Sequence, residues 1–206
     1  MKKIIYLSVG VVAVVAGCAA LEHTPTREET LATIKASFKD KGIAKVSRLD
    51  QTEAQAICSR VAQTKVPLER AERARLEAAA AATVKYPTDG QWLGNYKAGE
   101  KVAQSGLGLQ FSDNEKTING GNCYACHQIS KEEISYGNIG PSLAHYGKLR
   151  GNSEAIMKYT WGKIWNAHAT NACSPMPRFG DAGILTEAQI KDVMALLLDP
   201  ESPVNK

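Results

Sequence analysis

The stretch Cys123-Tyr124-Ala125-Cys126-His127 constrains this chain more than any other. Two cysteines separated by two residues and followed by histidine form the attachment motif of a c-type haem. One helical turn brings both thiols to one face, where each can add to a vinyl group of the same porphyrin. The imidazole of His127 then lies under the iron. The motif therefore predicts one covalently bound haem c (iron), attached through Cys123 and Cys126, with His127 as a metal ligand.

Two other uses of a Cys-x-x-Cys pair compete with haem attachment. The first is a redox dithiol, in which histidine rarely follows the second cysteine directly. The second is half of a zinc site, which needs two further ligands at close spacing. We favour haem, and both alternatives stay open at this point.

The N-terminus has the pattern of an export signal. Lys2 and Lys3 precede an apolar run, residues 4–15, that is too short to span a bilayer. Val15-Ala16-Gly17-Cys18 resembles a bacterial lipobox, so residues 1–17 are expected to be a lipoprotein-type signal peptide and Cys18 to be acylated. Ordinary cleavage after Ala20 is the alternative. We expect a periplasmic protein that contacts the membrane only through a lipid on Cys18.

The chain has five cysteines, and lipid and haem use three of them. Cys58 and Cys173 remain, and an exported protein usually pairs such cysteines in a disulfide. Two buried free thiols are the alternative.

Periodicity predicts helices throughout. A capping box opens the first helix at Thr26 and another opens the last at Thr186. We expect a helical N-terminal extension over residues 18–90, in which residues 67–85 form a solvated helix with no chemistry of its own. Residues 91–206 are expected to form the haem domain. Its first helix is expected at residues 97–105. By resemblance to small c-type cytochromes, this helix should cross the last helix.

An electron-transfer haem needs a second strong axial ligand. Met176 lies between two prolines, which exclude a helix and hold the backbone extended, so a stiff loop can direct its thioether at the iron. The other candidates are Met157, Met194, His23, His145 and His168, and His168 comes second. Histidine with methionine gives a higher potential than two histidines.

Gly140-Pro141-Ser142-Leu143 follows the haem motif and resembles the corresponding segment of c-type cytochromes. In that family the proline carbonyl accepts a hydrogen bond from the haem histidine, which implies this role for Pro141. A simple turn is the alternative. The resemblance implies an all-α protein with a class I cytochrome c fold in residues 91–206.

Three further stretches narrow the resemblance: residues 95–101, residues 176–180 and the tail at residues 196–205. With the haem motif they resemble SoxX, the monohaem cytochrome c subunit of the heterodimeric SoxAX complex of sulfur oxidation. The resemblance covers about residues 90–206.

The resemblance to SoxX implies an electron-relay subunit of an L-cysteine S-thiosulfotransferase. Such an enzyme joins thiosulfate to a cysteine of a sulfur-carrier protein. The catalytic site belongs to the partner, so no residue of this chain is expected to be catalytic. The implied partners are a SoxA-like dihaem or monohaem cytochrome subunit, a SoxYZ-like sulfur carrier and a soluble c-type cytochrome acceptor.

A different hypothesis is a free-standing, lipid-anchored periplasmic electron-transfer cytochrome c. A nucleic-acid partner is not expected, because the net charge of +4 is weak and scattered and no basic run is interleaved with aromatics.

Overall fold

The computed structural model describes residues 24–206. The signal peptide, Cys18 and His23 lie outside this range. Residues 41–206 form one compact unit, and residues 24–40 belong to a separate one. Within residues 24–206 the regular structure is helical, with a single isolated β-bridge between Lys41 and Ala44.

The N-terminal unit contains helix α1, Arg27–Ser37. The capping box predicted at Thr26 is confirmed, because the Thr26 hydroxyl accepts from the Glu29 N–H and the Glu29 carboxylate accepts from the Thr26 N–H. The helix ends at Ser37, and none of its residues is buried.

Residues 41–206 contain six α-helices, joined by irregular segments and short 3₁₀ turns. Their bounds are α2 Glu53–Thr64, α3 Arg70–Ala81, α4 Tyr96–Gln104, α5 Tyr146–Arg150, α6 Glu154–Trp165 and α7 Glu187–Leu198. The 3₁₀ turns are Val46–Leu49, Cys123–Ala125, Ala167–Ala169 and Pro203–Asn205. The predicted capping box at Thr186 is present at the start of α7.

The main core forms where α4 packs on α7, as the sequence predicted. At Gly99 the α4 backbone lies so close to the Asp192 backbone that a Cβ would overlap it. The Gly94 N–H donates to the Lys191 carbonyl at 2.8 Å, which fixes the register of the two helices. The core is filled by large apolar side chains of α6, α7 and the tail, among them Trp161, Ile190, Met194, Leu196 and Val204.

Helix α3 differs from the solvated helix expected between residues 67 and 85. It begins at Arg70, and Leu76 is buried in a small second cluster with Ile57 of α2 and Ala172. Arg75 of α3 also forms an ion pair with Glu53 of α2, at 2.8 Å. Helices α2 and α3 therefore pack on the segment that precedes Met176. The domain boundary at residue 90 stays a prediction.

Candidate haem site

The two cysteines of the motif lie in a single tight turn. Cys123–Ala125 is a 3₁₀ turn, in which the N–H groups of Cys126 and His127 both donate to the Cys123 carbonyl, at 3.1 and 2.9 Å. Asn122 precedes the turn with a φ of 46°, in the left-handed region that asparagine tolerates. The turn is tighter than the α-helical turn that the spacing suggested. It still keeps both thiols on one short, fixed piece of backbone.

Neither thiol is paired, since Cys123 and Cys126 are free cysteines. Burial raises the pKa of the Cys123 thiol to about 12. A redox dithiol works through a thiolate of lowered pKa, so this environment is unfavourable to such a role. Residues 24–206 hold no group of three or more histidine, cysteine and acidic side chains that could bind a metal ion.

The imidazole of His127 is oriented by a single hydrogen bond. Its Nδ1 lies 2.7 Å from the Pro141 carbonyl oxygen. A carbonyl can only accept, so Nδ1 carries the proton and Nε2 is left with its lone pair. A hydrogen bond of this kind fixes the tautomer and makes the other nitrogen a stronger metal donor. His127 is therefore prepared to bind iron through Nε2.

Gly140 closes one side of this imidazole. A Cβ at residue 140 would overlap the ring, at 2.5 Å from Nδ1 and 2.7 Å from Nε2. The Gly140 N–H donates to the Cys126 carbonyl at 2.8 Å, so residue 140 is held against the haem motif. Only glycine lets the Pro141 carbonyl reach Nδ1 along this path.

Met176 lies in an irregular segment, residues 171–181, which we call the methionine loop. Its side chain is half-buried and packs against the main core, as do the half-buried side chains of Cys123, Leu143 and Ile184. These partly covered apolar groups suit the edge of a porphyrin. A cavity of about 620 Å³ extends from Met176 to α2 and is lined by His168 and both remaining cysteines.

Cys58 and Cys173 form a disulfide with a Cα–Cα distance of 5.4 Å. It joins α2 to the methionine loop three residues before Met176. Cys173 is therefore part of a covalent link beside the candidate ligand, and it is not a free thiol.

The other candidate ligands within residues 24–206 lie in the core or on segments with bonds of their own. Met194 is fully buried in the core, and Met157 packs against it. His168 is buried, and its Nε2 lies 3.2 Å from the Ser174 carbonyl, to which it donates. The Nδ1 of His145 is buried without a hydrogen-bond partner, and the backbone of His145 is bonded to the C-terminal tail through the Val204 carbonyl. Met176 as the second axial ligand stays a prediction.

No helix in the described part of the chain is both long and apolar enough to cross a membrane.

Parts of the sequence are similar to known proteins. Residues 111–199 match the family model for cytochrome c. The chain is also similar to a protein of Aquifex aeolicus (strain VF5) named "Uncharacterized lipoprotein", with 42% identity over 132 residues. That alignment covers 61% of this chain and 59% of the relative, so the chain spans less than two thirds of the relative's length. Together with the helical structure, the family match supports a cytochrome c domain within residues 111–199, with an all-α, class I cytochrome c fold and covalently bound haem c.

Proposed function

We propose that this chain is a single-haem electron relay, in which Cys123 and Cys126 hold the porphyrin and His127 and Met176 bind its iron. The observation that carries the proposal is the 2.7 Å bond between His127 Nδ1 and the Pro141 carbonyl. It leaves Nε2 free and directs the imidazole as a haem ligand requires. Iron held on both sides by protein changes its oxidation state without binding a substrate.

We further propose that the relay serves a SoxAX-like complex of sulfur oxidation. The support is the resemblance of residues 95–101, 176–180 and 196–205 to SoxX. Residues 196–205 also help to complete the core, because Ser202 and Asn205 are buried and donate to the Leu196 and Leu197 carbonyls. The resemblance therefore includes residues that complete the core as well as residues of the haem site.

In such a complex the partner subunit joins thiosulfate to a cysteine of a carrier protein. A sulfur–sulfur bond forms, the cysteine thiol loses its proton, and two electrons leave. This chain takes the electrons one at a time and passes each to a soluble c-type cytochrome. Its own residues bind and orient the haem, and they perform no bond-forming chemistry.

We also propose that the chain is anchored by a lipid on Cys18 and lies in the periplasm. The lipobox-like stretch before Cys18 supports the anchor, and so does the name of the Aquifex relative, which is called a lipoprotein. The same name fits a second candidate function, a free-standing lipid-anchored electron carrier.

Purification under native conditions separates the two candidates. A SoxAX-like relay should copurify with a larger haem-containing subunit that has an essential cysteine. If the chain instead purifies alone and exchanges electrons with respiratory cytochromes, the free carrier is the better description.

Optical and mass measurements of the exported protein test the site itself. We expect a mass increase of one haem with an acylated N-terminal Cys18, and a weak red absorption band of the ferric form from sulfur–iron charge transfer. The Met176→Ala variant should lose the band and keep the haem. A variant that keeps the band would rule out Met176 as the ligand.

A further inference from the structure

The methionine loop contains little that would hold Met176 in place. The N–H groups of Cys173 and Ser174 donate to Asn171, and the N–H of Met176 donates to the Ser174 hydroxyl at 3.2 Å. All three bonds reach back only two or three residues. Such contacts define local turns, but they do not fix the loop relative to the rest of the protein.

The beginning of the loop is held by α2 and α3. The Cys58–Cys173 disulfide joins it covalently to α2. One residue earlier, the Ala172 N–H donates to the Glu77 carboxylate of α3 at 3.3 Å, and the Ala172 side chain is buried against Ile57 and Leu76. A disulfide, a hydrogen bond and an apolar contact therefore all hold the loop within four residues of Met176.

The end of the loop is held by Trp165. The Trp165 carbonyl accepts from the N–H groups of both Gly180 and Asp181, each at 3.1 Å. The indole ring lies against Gly180, where a Cβ would come within 2.5 Å of Cε3. The indole N–H of Trp165 donates to the Thr83 carbonyl at 3.0 Å, just after α3. Trp165 thus links the end of the methionine loop to the residue after α3, and α3 also holds the beginning of the loop.

We propose that residues 53–83, together with Trp165, form a clamp that positions Met176 on the haem iron, with Cys58, Glu77 and Trp165 as positioning residues. The proposal rests on the proposed role of Met176 as a ligand. A thioether is a weak ligand, so its occupancy depends on the equilibrium between a closed loop and an open one. Each contact made only in the closed form shifts that equilibrium toward ligation. The clamp gives a role to part of the extension whose function the sequence left open.

The test compares two tryptophan variants of the holoprotein. Trp165→Phe keeps an aromatic ring and removes the N–H donor to Thr83. Trp161→Phe is the matched control, because its indole N–H also donates to a nearby carbonyl, that of Lys85 at 2.8 Å, one helical turn away from the loop contacts. A third variant, Cys58→Ser with Cys173→Ser, removes the covalent link.

The measurement is the pH at which the ferric protein loses its sulfur–iron absorption band, together with the rate of cyanide binding. Loss of one hydrogen bond should raise the open population by about fivefold to tenfold in Trp165→Phe. The pH midpoint should fall by about one unit, and cyanide should bind faster by a similar factor. The double serine variant should shift at least as far. Trp161→Phe should lose thermal stability with an unchanged midpoint.

Each other outcome overturns the clamp. An unchanged midpoint in Trp165→Phe, with the band present, refutes the clamp alone. Equal shifts in Trp165→Phe and Trp161→Phe show general destabilisation and refute it as well. If the unmodified protein has no sulfur–iron band, the proposed ligand and the clamp both fail. Should the double serine variant not fold, the tryptophan pair still decides.

Discussion

Gly140→Ala tests whether the haem histidine is oriented by its surroundings. The added methyl group would lie 2.5 Å from His127 Nδ1 and 2.7 Å from Nε2. Ordinary contact needs roughly 1 Å more, so the imidazole or residue 140 must move. The Gly140 N–H is bonded to the Cys126 carbonyl, which resists movement of the backbone. We therefore expect the ring to move and its bond to the Pro141 carbonyl to break.

The structure sets the size of the effect. Overpacking costs about 1–3 kcal/mol and a lost hydrogen bond about 1 kcal/mol, so the expected loss of stability is about 2–4 kcal/mol. For a unit of this size each kcal/mol lowers Tm by about 2–4 °C, which gives a fall of roughly 5–15 °C. The midpoint potential should rise, because imidazole that no longer donates through Nδ1 supports ferric iron less well.

The assay is thermal unfolding followed at the haem absorption, with a potentiometric titration of the same samples. Gly162→Ala is the matched control. Gly162 is buried within α6, a Cβ there meets nothing within 4 Å, and alanine should stabilise the helix by about 0.5–1 kcal/mol. A Gly140→Ala protein with the potential and Tm of the unmodified one would show that the overlap at His127 has no consequence.

Two further predictions concern other parts of the molecule. Ser202→Ala should cost about 1–3 kcal/mol, because the buried hydroxyl donates to the Leu196 carbonyl and accepts from the Val204 N–H, and chemical denaturation of the holoprotein measures this. Burial lowers the pKa of His168 below its usual 6.5, so the unfolded chain binds a proton more readily. The contribution of neutral His168 to the free energy of unfolding should therefore be fully present above about pH 6.5. It should be lost as the pH falls through the folded-state pKa. His168→Gln should reduce this decrease, and an identical pH profile in the variant would exclude His168 as its cause.

Local sequence signals predicted the parts of the structure that depend on neighbouring residues. The capping boxes at Thr26 and Thr186 are present, since each needs only four consecutive residues. The pairing of the first and last helices of the haem domain could also be predicted, from the resemblance to small c-type cytochromes. The bond between His127 and Pro141 spans fourteen residues and follows from a motif that recurs in c-type cytochromes.

The position of α3 on the methionine loop could not be predicted in the same way. Most of the α3 surface is charged or alanine, and a single buried leucine, Leu76, carries its apolar contact. The segment after α3 is attached to α6 by hydrogen bonds that the backbone carbonyls of Thr83 and Lys85 accept. A carbonyl group is present at every residue, so it leaves no pattern in the sequence. Trp161 and Trp165 donate their indole N–H groups to these two carbonyls, and an indole donor gives no indication of its acceptor.

The two proposed iron ligands are thus secured by different means. His127 is oriented by its own neighbourhood, within fourteen residues of chain, and this arrangement can form as soon as the haem motif folds. The position of Met176 depends on a disulfide between residues 115 positions apart. It also depends on the hydrogen bonds of Glu77 and Thr83, whose partners lie 95 and 82 positions away. Closing such long loops is the slower and more conditional step in folding. Perturbations outside the haem motif should therefore act first on the methionine side of the iron, and leave the histidine side intact.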